Sequence, residues 1–545
     1  MKIAGMTCDS CARGIAQRLV GEKGILQVDI SYEQGSGVVL YDPTQIRADQ
    51  IVAVVAQGGH YRVVNCEEEV VPQGKSEEIF DLIIIGGGSA AFAAAIHAEE
   101  LGLRTLMVND GLPIGGTCVN VGCVPSKFLV RAAESVWRAT HSPFAGIHPR
   151  GVEVDFGALM QQGRELVAEM RQRKYLDVVR DFSGLTLVQG HAQFVDAHTI
   201  AVGHQHYRGH KLLIATGARP NVPDFEGLAH VNYHTSRTIF SLTQLPKTLT
   251  ILGAGYVGLE MGQSFQRLGA HVRILAYTER VLRRLSPDIS EELTRHLQAE
   301  GIELLPNFQP YKFESKDGLT RIHCRRPDGT NVVLEEPGTI LVATGIRPNT
   351  DQLKLARIGV QLDSRGHIQV DSYLRTNLPH VYAAGDVATT PAYVYTAALE
   401  GKTAVHNAFS AEPQPINYEI LPWVVFTDPQ VAGVGIDERD AEVQGIPFEV
   451  RSLPLSEVPR SIAARDMRGF IKLIRHVETD RLLGARIVAT EGGELVQQLS
   501  LAMRMGATVS ELASGLCPYL TLSEGIKLAA LTFGKDVRKL SCCAT

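Results

Sequence analysis

Two glycine-rich segments constrain the fold of this chain more than any other feature. Each follows a short apolar run, DLIII in the first case and TLTIL in the second, and each precedes a helical pattern. A glycine turn between a buried strand and a helix lets the backbone approach a pyrophosphate at the helix N-terminus. Two such segments therefore predict two dinucleotide-binding folds in one α/β chain. The fingerprint residues are Gly86, Gly88 and Ala91 in the first segment and Gly253, Gly255 and Gly258 in the second.

The strand that follows each fingerprint indicates how a ribose is bound, because an acidic residue at its end accepts hydrogen bonds from ribose hydroxyls. After the first fingerprint the strand RTLMVND ends in Asn109 and Asp110, and the sequence does not decide between them. After the second, no acid occupies the equivalent place, where Ala276 and Tyr277 stand. Arginines follow closely, at positions 280, 283 and 284. Arginine favours a 2′-phosphate, so this pattern predicts NADPH rather than NADH.

Between the two fingerprints, residues 115–127 read GGTCVNVGCVPSK and place Cys118 and Cys123 five positions apart. Two thiols this close can form an intramolecular disulfide. In a reducing compartment such a pair is more often catalytic or metal-binding than structural. The alternative is a pair of buried cysteines that never meet.

Composition excludes several classes of protein. A net charge of −6 argues against nucleic acid as the main partner. No apolar run predicts a membrane span, and the N-terminus has no apolar signal core, so a cytoplasmic location is expected. Of the nine cysteines, six fall in the pairs Cys8/Cys11, Cys118/Cys123 and Cys542/Cys543, which indicates soft-metal or redox chemistry.

Residues 1–66 predict a small separate domain of βαββαβ order. Cys8 and Cys11 form a CxxC motif within GMTCDSCA, at the entry to the first helix, where the helix N-terminus favours thiolates. The motif and the element order resemble the heavy-metal-associated domain, which implies binding of a soft ion by two thiolates. A thioredoxin-like redox pair is the alternative.

The rest of the chain predicts a multidomain α/β and α+β protein. A ferredoxin-like metal-binding domain is followed by two Rossmann-like domains and a C-terminal α+β dimerisation domain. The two segments ATGARPN and ATGIRPN and the segment YAAGDVA, with Gly385 and Asp386, close the Rossmann-like regions. The expected boundaries are 1–66 metal-binding domain, 67–79 linker, 80–230 first FAD-binding part, 231–350 NADPH-binding domain, 351–420 second FAD-binding part, and 421–545 dimerisation domain.

Residues 80–545 resemble the pyridine nucleotide-disulfide oxidoreductases from end to end. The motifs that carry the resemblance are GGGSAA, GGTCVNVGCVPSK, GAGYVGLE, the two ATG segments, YAAGDV and PYLTLSEG. The resemblance implies a homodimer with one FAD per subunit, NADPH as reductant, and active sites built from both chains.

The resemblance also implies roles for particular residues. Cys118 and Cys123 would form the redox-active disulfide against the flavin, and Lys127 would pair with Glu260 near its reactive edge. Tyr256 would gate the nicotinamide pocket. The implied FAD contacts are Gly86, Gly88, Ala91, Asn109, Asp110, Gly116, Thr117, Lys127, Ala192, Thr216, Gly217, Gly385 and Asp386, and the implied NADPH contacts are Gly253, Gly255, Tyr256, Gly258, Arg280 and Arg283.

One departure from the family pattern concerns the substrate. Glutathione reductase and dihydrolipoamide dehydrogenase carry a His-Pro acid/base before their Ser-Glu dipeptide. Here the segment reads CPYLTLSE, and Tyr519 takes the histidine position. A phenol with a pKa near 10 is a poor proton shuttle at neutral pH, so an organic disulfide is a poor substrate.

The tail KLSCCAT adds Cys542 and Cys543. Adjacent cysteines form a strained disulfide, so the pair is better suited to act as two thiol ligands; incidental cysteines in a tail are the alternative. With Tyr519 and the N-terminal domain, the tail resembles the branch of the family that reduces Hg(II). In that branch Tyr175 and Tyr519 match two tyrosines beside the metal, although a surface aromatic is the alternative for Tyr175.

The resemblance therefore implies reduction of thiol-bound Hg(II) to Hg(0), which serves mercury detoxification. The metal would pass from Cys8/Cys11 to Cys542/Cys543 of the partner subunit and then to Cys118/Cys123. Small thiols would be partners, and mercury-transport proteins are further candidates. Two other functions stay open: a disulfide reductase of the glutathione reductase or dihydrolipoamide dehydrogenase type, and a soluble metal-binding protein.

Overall fold

The structure is a computed structural model that describes residues 1–6, 9–32, 35–43, 45–57, 61–66 and 79–539. The chain divides into two compact units, residues 1–77 and residues 78–545. The predicted linker 67–79 lies outside the described residues except for its last position.

The first unit has the predicted βαββαβ order. Its antiparallel sheet has the strand order β2-β3-β1-β4, with both helices supplying apolar side chains to one core. Ile15 and Leu19, four residues apart on α1, are fully buried, as the helical period requires. The elements are β1 (Lys2–Ala4), α1 (Asp9–Val20), β2 (Ile25–Ser31), β3 (Ser36–Tyr41), α2 (Ala48–Ala56) and β4 (Arg62–Asn65).

The second unit begins with a dinucleotide-binding fold. Strands β7, β6, β5 and β10 are parallel neighbours, and β21 joins the same sheet later in the chain by pairing with β10. The elements are β5 (Ile79–Ile85), α3 (Ser89–Glu100), β6 (Thr105–Asn109), α4 (Gly116–Val121), α5 (Cys123–Thr140), α6 (Phe156–Arg171), a π-helical turn (Gln172–Leu176), α7 (Asp177–Val179), β7 (Leu185–Gln189), β8 (Ala192–Phe194), β9 (Thr199–Val202), β10 (Gln205–Ile214) and β11 (Ala218–Pro220).

A second dinucleotide-binding fold follows, with the parallel strand order β12-β19-β13-β14-β15 and an antiparallel three-stranded sheet, β16-β17-β18, inserted before β19. The elements are β12 (Tyr233–Thr235), β13 (Thr248–Leu252), α8 (Tyr256–Leu268), β14 (His271–Ala276), α9 (Pro287–Ala299), β15 (Glu303–Pro306), β16 (Gln309–Lys316), β17 (Leu319–Arg325), β18 (Asn331–Glu336), β19 (Thr339–Val342) and β20 (Ile346–Pro348).

The last part of the unit is an antiparallel sheet, β22-β23-β26-β25-β24, flanked by helices. Its elements and those that precede it are β21 (Val381–Ala383), α10 (Val394–Phe409), β22 (Trp423–Val425), β23 (Gln430–Gly435), α11 (Glu438–Gln444), β24 (Phe448–Pro454), α12 (Pro459–Ala464), β25 (Phe470–His476), β26 (Leu482–Ala489), α13 (Gly492–Arg504), α14 (Val509–Ser514) and α15 (Leu522–Leu531). Short 3₁₀ turns occur at Leu228–His230, Ile239–Ser241, Leu355–Arg357, Leu455–Glu457 and Val537–Lys539.

The two ATG segments exchange a pair of equivalent hydrogen bonds. The hydroxyl of Thr216 donates to the carbonyl of Asn349 at 2.9 Å, and the hydroxyl of Thr344 donates to the carbonyl of Asn221 at 2.6 Å. In each case the acceptor lies five residues after the threonine of the other segment. Strands β11 and β20, which follow the threonines, pair antiparallel. The repeated sequence thus builds a two-stranded connection between the two dinucleotide-binding folds.

One hydrophobic core joins the three regions of the second unit. It contains Leu129 of α5, Leu259 of α8, Val425 of β22 and Val488 of β26, all fully buried. Burial of these side chains stabilises the contact between α5, which begins with a cysteine of the redox segment, and the second fingerprint helix.

The predicted α/β and α+β class is confirmed. In the part of the chain that the structure describes, no helix combines the length and the apolar character needed to cross a membrane.

Candidate functional site

The redox segment is a broken helix. Gly115 has a left-handed backbone (φ = 96°) and precedes α4, and Gly122 separates α4 from α5. Cys118 lies within α4, whereas Cys123 is the first residue of α5. Both side chains are half-buried, and the two sulfurs are hydrogen-bonded to each other as free thiols. The structure therefore brings the predicted pair together.

The two thiols differ in acidity. The hydrogen bond from Cys118 lowers the pKa of Cys123 to about 7, and the positive charge of Lys127 acts in the same direction. The same hydrogen bond raises the pKa of Cys118, since that thiol is the donor. A thiolate at a helix N-terminus is further favoured by the helix dipole. Of the two sulfurs, Cys123 is therefore the one that becomes a thiolate as the pH rises through about 7, while Cys118 keeps its proton.

Lys127 and Glu260 form an ion pair between α5 and α8. The Nζ of Lys127 lies 2.5 Å from Oε2 of Glu260, and it also lies 4.5 Å from the ring centroid of Phe426. The other carboxylate oxygen, Oε1, accepts from the backbone N–H of Phe426 at 2.9 Å. The Glu260 side chain is buried, so this carboxylate links the redox helix, the second fingerprint helix and the C-terminal region.

Tyr175 lies beside the redox segment. It belongs to the π-helical turn, and its hydroxyl is hydrogen-bonded to Ser89 at the start of α3. Its ring stands edge-on to Phe92, with the centroids 4.9 Å apart. Burial raises the pKa of Tyr175, and the neighbouring Cys118 and Cys123 add to that rise. The phenol is thus a protonated group next to the thiol pair, and π-helical turns are frequent at functional sites.

A cavity of about 380 Å³ opens at the first fingerprint. A Cβ added to Gly217 would meet no atom within 4 Å, so a side chain there would project into open space. The N-terminus of α3, whose N-cap is Gly88, also lines the cavity and offers unpaired N–H groups to a pyrophosphate. These features fit FAD. The predicted FAD residues among the lining are Gly86, Gly88, Asn109, Asp110, Gly116, Thr117, Ala192, Thr216 and Gly217.

The redox segment is fixed to this cavity by close backbone contact. The N–H of Gly115 donates to the carbonyl of Gly87 at 2.8 Å. A Cβ added to Gly116, which has φ = 60°, would lie 2.7 Å from the Cα of Gly88. Any side chain at residue 116 would therefore separate the start of α4 from the first glycine loop. This contact sets the position of Cys118, two residues later, relative to the cavity.

The two candidates for the ribose contact have different surroundings. Asn109 is buried, and its amide N–H₂ donates to the carbonyl of Leu112 at 3.0 Å and to Gln189 at 3.3 Å. Asp110 is exposed, and its carboxylate lies 2.9 Å from Nδ1 of His191. Both line the cavity, so the choice between Asn109 and Asp110 stays open.

Gly385 and Asp386 follow β21, and they are not among the residues that line this cavity, nor is the buried Ala91. The N–H of Gly385 donates to Oε2 of Glu400 at 2.6 Å. Burial raises the pKa of Asp386, which lies at the carboxyl end of a parallel strand, where ligands bind in such sheets. A role for Gly385 and Asp386 in binding FAD stays a prediction.

A larger cavity, of about 930 Å³, opens at the second fingerprint. A Cβ added to Gly258 would lie 2.0 Å from the carbonyl oxygen of Gly253, so α8 packs directly on the glycine turn. A Cβ on Gly255 would meet nothing within 4 Å and would project into the cavity. The described residues that line it include Arg283 and Arg284 and no acidic side chain. The cavity therefore fits a dinucleotide with a 2′-phosphate.

Arg280 was predicted to join Arg283 but does not line this cavity. Its guanidinium lies 3.3 Å from Glu279 and donates to the carbonyl of Arg283 at 3.2 Å. The Arg280 side chain thus binds the backbone of the segment that carries Arg283 and Arg284. Tyr256 does line the cavity, as the first residue of α8.

The remaining predicted residues are Tyr519 and the four other predicted metal ligands. Tyr519 is about half exposed, in the loop between α14 and α15. Cys11 is on α1 of the first unit and is half-buried. The other predicted metal ligands, Cys8, Cys542 and Cys543, lie outside the described residues. Their roles stay predictions.

Some residues of the site were missed by sequence reasoning. Glu400 is fully buried on α10 and accepts hydrogen bonds from Gly385, Thr390 and Tyr418. Tyr393 lines the second cavity although it precedes α10. The sequence signal that could have identified Glu400 was its charge, because it stands in the otherwise apolar run TAALEG. Tyr393 had no comparable signal, since its position depends on how distant segments pack.

Three family models match the chain. The model for the pyridine nucleotide-disulphide oxidoreductases matches residues 80–401, that for the dimerisation domain of the same family matches residues 421–530, and that for the heavy-metal-associated domain matches residues 1–60. The C-terminal region is thus a dimerisation domain by family.

Similar proteins are found over the whole length. A mercuric reductase from Lysinibacillus sphaericus is 39% identical and covers 100% of this chain and 99% of its own length. One from Shigella flexneri is 40% identical with the same coverage, and one from Streptomyces lividans is 42% identical over 85% of this chain and 98% of its own length.

Among solved structures, the HOCl-induced flavoprotein disulfide reductase RclA from Escherichia coli has a TM-score of 0.75 and 25% identity. It covers 84% of this chain and is matched over its whole length. Its Cu(II) complex matches equally well. The fold, the paired thiols, the two dinucleotide cavities and the full-length relatives agree: the chain belongs to the mercuric reductase family of pyridine nucleotide-disulphide oxidoreductases.

Proposed function

We propose that this enzyme reduces thiol-bound Hg(II) to Hg(0) with electrons from NADPH, as a flavoprotein that serves mercury detoxification. The observation that carries the proposal is the Cys118/Cys123 pair, which lies between a dinucleotide cavity and Tyr175. Membership of the mercuric reductase family over the full length supports the same activity.

The thiol pair suits a soft metal ion. Hg(II) prefers soft thiolate ligands, and the lowered pKa of Cys123 makes its thiolate accessible near neutral pH. When the metal binds a second sulfur, Cys118 loses its proton, because the ligand is the thiolate. Two electrons then convert Hg(II) to Hg(0), while NADPH becomes NADP⁺ and releases a proton. Neutral mercury is a poor partner for thiolates and leaves.

Bound FAD would accept a hydride from NADPH and supply the electron pair to the thiol site. The residues that line the first cavity would hold it, with the pyrophosphate at the N-terminus of α3. The residues that line the second cavity would hold NADPH, with Arg283 and Arg284 available to the 2′-phosphate.

Two neighbouring side chains, Lys127 and Tyr175, set the charge around the thiol pair. Lys127 places a positive charge beside the Cys123 thiolate and is itself fixed by Glu260. Tyr175 covers the segment with a phenol that stays protonated at neutral pH. A protonated hydroxyl can donate a hydrogen bond to a sulfur or to a metal-bound ligand. Because it is neutral, it does not compete with the thiolates for the metal.

Delivery of the metal would use exchange between thiol pairs. The first unit, of the heavy-metal-associated family, supplies Cys8 and Cys11 as a capture site. The tail supplies Cys542 and Cys543, which would reach the thiol pair of the partner subunit in a homodimer and, with Tyr519, complete the shared site. Each exchange replaces one thiolate by another, so Hg(II) is never released as a free ion. Small thiols bring the metal to the enzyme, and mercury-transport proteins are a further source.

The decisive experiment measures NADPH oxidation by the FAD-containing enzyme with and without Hg(II) in excess thiol. Oxidation that depends on Hg(II) and yields volatile Hg(0) is the expected result. Replacement of Cys118 and Cys123 by Ala should abolish it. Normal turnover in that variant would overturn the proposal.

A disulfide reductase activity is the second candidate, because the similar structure RclA is a flavoprotein disulfide reductase. Tyr519 at the acid/base position argues against glutathione disulfide or lipoamide as substrate. The same assay with each disulfide in place of Hg(II) separates the two functions: rapid NADPH oxidation with a disulfide alone would favour the second.

A further inference from the structure

A hydrogen-bonded pair, Arg171 and Asn120, joins the redox segment to the turn that carries Tyr175. Asn120 lies on α4, between Cys118 and Cys123 in the chain. Arg171 is the last residue of α6 and directly precedes the π-helical turn. Its Nη1 donates to Oδ1 of Asn120 at 3.0 Å. The two residues are 51 positions apart in the chain, so tertiary packing brings them together.

The nitrogen of the Asn120 amide binds the turn that precedes α4. It lies 2.9 Å from the carbonyl oxygen of Pro113, 3.2 Å from that of Ile114 and 2.8 Å from that of Gly116. These carbonyls can only accept and a guanidinium can only donate, so the partners determine which way the amide points. Asn120 therefore binds the start of the redox helix and Arg171 at the same time.

The Tyr175 ring packs against the same start of the redox helix. A Cβ added to Gly115, the N-cap of α4, would lie 3.4 Å from two carbons of this ring. Phe92 of α3 contacts the ring as well, with the centroids 4.9 Å apart in an edge-on arrangement. Tyr175 follows Arg171 by four residues, about one helical turn. The contact of Arg171 with Asn120 therefore fixes the turn from which the Tyr175 ring projects.

The Arg171 guanidinium depends on Asn120 for its position. Among the described residues it has no carboxylate partner and makes no other hydrogen bond. Arg173, two residues later, provides an internal comparison, because its Nη1 lies 2.7 Å from Oε1 of Glu169 and its side chain is 68% exposed. Loss of the Arg173 guanidinium removes a positive charge from the same turn and leaves the contact with Asn120 in place.

We infer that the Arg171–Asn120 hydrogen bond positions Tyr175, holding its ring against Gly115 and its phenol beside the thiol pair during reduction of the metal. Arg171 is a positioning residue, since it acts through Tyr175. A phenol that is already in place can donate to a sulfur or to a metal-bound ligand without being ordered again in each turnover. The inference rests on the proposed function in that the substrate at the thiol pair is Hg(II).

The test compares Arg171→Met with the matched control Arg173→Met in the full-length, FAD-containing enzyme. Each variant loses one guanidinium from the same turn, and only the first loses the contact with Asn120. Steady-state NADPH oxidation with Hg(II) in excess cysteine should show kcat lowered by roughly three- to tenfold in Arg171→Met, which is the range expected for loss of one partly exposed hydrogen bond. It should be unchanged in Arg173→Met. Equal turnover in Arg171→Met and the unmodified enzyme would overturn the inference, as would an equal loss in both variants.

Two further variants separate the positioning of Tyr175 from a general loss of structure. Arg171→Lys keeps a donor and a positive charge, so it should recover most of the turnover that Arg171→Met loses. Tyr175→Phe removes the phenol hydroxyl, so adding Arg171→Met to it should lower kcat little further. Additive losses in the double variant would show that Arg171 does not act through Tyr175. Reduction of FAD by NADPH in a single turnover should be the same in all these proteins, because the pair acts only at the thiol site.

Alkylation of the reduced thiols by iodoacetamide tests the pair without Hg(II). Since the Tyr175 ring packs beside the thiol pair, release of the ring should make Cys118 and Cys123 react faster. We expect faster alkylation in Arg171→Met than in Arg173→Met or the unmodified enzyme, and equal rates in all three would overturn the inference. An unmodified enzyme that shows no Hg(II)-dependent turnover would contradict the proposed function instead, and the alkylation rates would still decide whether Arg171 positions Tyr175.

Discussion

The ammonium group of Lys127 lies 2.5 Å from the carboxylate of Glu260, and this contact connects the helix that starts at Cys123 to the second fingerprint helix. The two side chains are unequally buried: Glu260 is 7% exposed and Lys127 is 34% exposed. Breaking the contact would therefore cost the buried carboxylate more stabilisation than it would cost the ammonium group. Since the Lys127 charge also stabilises the Cys123 thiolate, one pair couples the redox site to the structure around the NADPH cavity.

Replacement of Lys127 by Met should destabilise the protein and reduce activity together. Among the residues that the structure describes, the buried Glu260 carboxylate would keep only the Phe426 N–H as a partner. Removal of one partner from a fully buried ion pair costs about 3–5 kcal/mol, and partial exposure of Lys127 lowers the expected cost to about 1–3 kcal/mol. Thermal unfolding and Hg(II)-dependent NADPH oxidation measure the two effects.

The control is the double variant Lys127→Met/Glu260→Gln, which removes the uncompensated charge. It should unfold at a higher temperature than Lys127→Met alone and still be poorly active, since the positive charge beside Cys123 is missing. Equal stability of the single and double variants would show that Glu260 is not strained by the loss of Lys127.

The thiolate on Cys123 should titrate well below an ordinary cysteine. Its pKa is lowered to about 7, first by the hydrogen bond from Cys118, so the thiolate is present above pH 7 and is lost as the pH falls through that value. In the reduced enzyme, absorbance at 240 nm should therefore rise with a midpoint near pH 7. The Cys123→Ser variant should lack this transition.

The Cys118→Ser and Cys118→Ala variants test whether the hydrogen bond from Cys118 lowers the pKa of Cys123. A serine hydroxyl can still donate to the thiolate, whereas alanine cannot, so the midpoint should move upward further in Cys118→Ala. A midpoint near pH 7 in both variants would assign the low pKa to Lys127 and the helix N-terminus rather than to Cys118.

Much of this site could be predicted from sequence because its parts are local. The glycine fingerprints, the thiol pair and the absence of an acid after the second fingerprint are contiguous patterns, and each is governed by backbone geometry or charge over a few residues. The βαββαβ order of the first unit followed from strand and helix periodicity in the same way.

The parts that could not be predicted depend on contacts between distant segments. Arg280 has the right type and spacing for a phosphate, but its guanidinium is engaged by Glu279 and the Arg283 carbonyl. Tyr256 and Tyr393 line the same cavity although they are far apart in the chain. Neither periodicity nor motif spacing contains that information, because it arises from tertiary packing.

Replacement of Glu400 by Ala should weaken retention of FAD. The buried carboxylate accepts from the N–H of Gly385 and from the hydroxyls of Thr390 and Tyr418, so its loss deprives one buried and two half-buried donors of this acceptor. The Gly385–Asp386 turn should then loosen. Release of FAD, followed by the rise in flavin fluorescence during thermal ramping, should begin at a lower temperature than in the unmodified enzyme.

Glu400→Gln is the matched variant, because it preserves the shape and one acceptor oxygen. It should retain FAD better than Glu400→Ala. If Glu400→Ala released FAD at the same temperature as the unmodified enzyme, Glu400 would not support the cofactor site.

Removal of residues 1–77 should leave a folded, yellow and active enzyme. The boundary follows the division of the chain into two compact units, each with its own core. A mercuric reductase from Streptomyces lividans that covers only 85% of this chain shows that a shorter relative exists. Turnover with Hg(II) in excess small thiol should be close to that of the full-length chain. An insoluble or colourless product would show that the second unit cannot fold without the first.

The tail cysteines should matter for delivery and not for reduction of the flavin. If Cys542 and Cys543 take Hg(II) from its thiol ligands, their replacement by Ala should leave the bleaching of the flavin by NADPH unchanged. Turnover should fall most when the thiol ligand is bulky, because a small complex can reach Cys118 and Cys123 directly, whereas a large one must surrender its metal at the surface. Ser541→Ala/Thr545→Ala, which alters the same tail and keeps both thiols, is the control. Steady-state NADPH oxidation with cysteine-bound and with protein-thiol-bound Hg(II) separates the cases, and a deficit that is equal for both ligands would assign the tail to the reduction step itself.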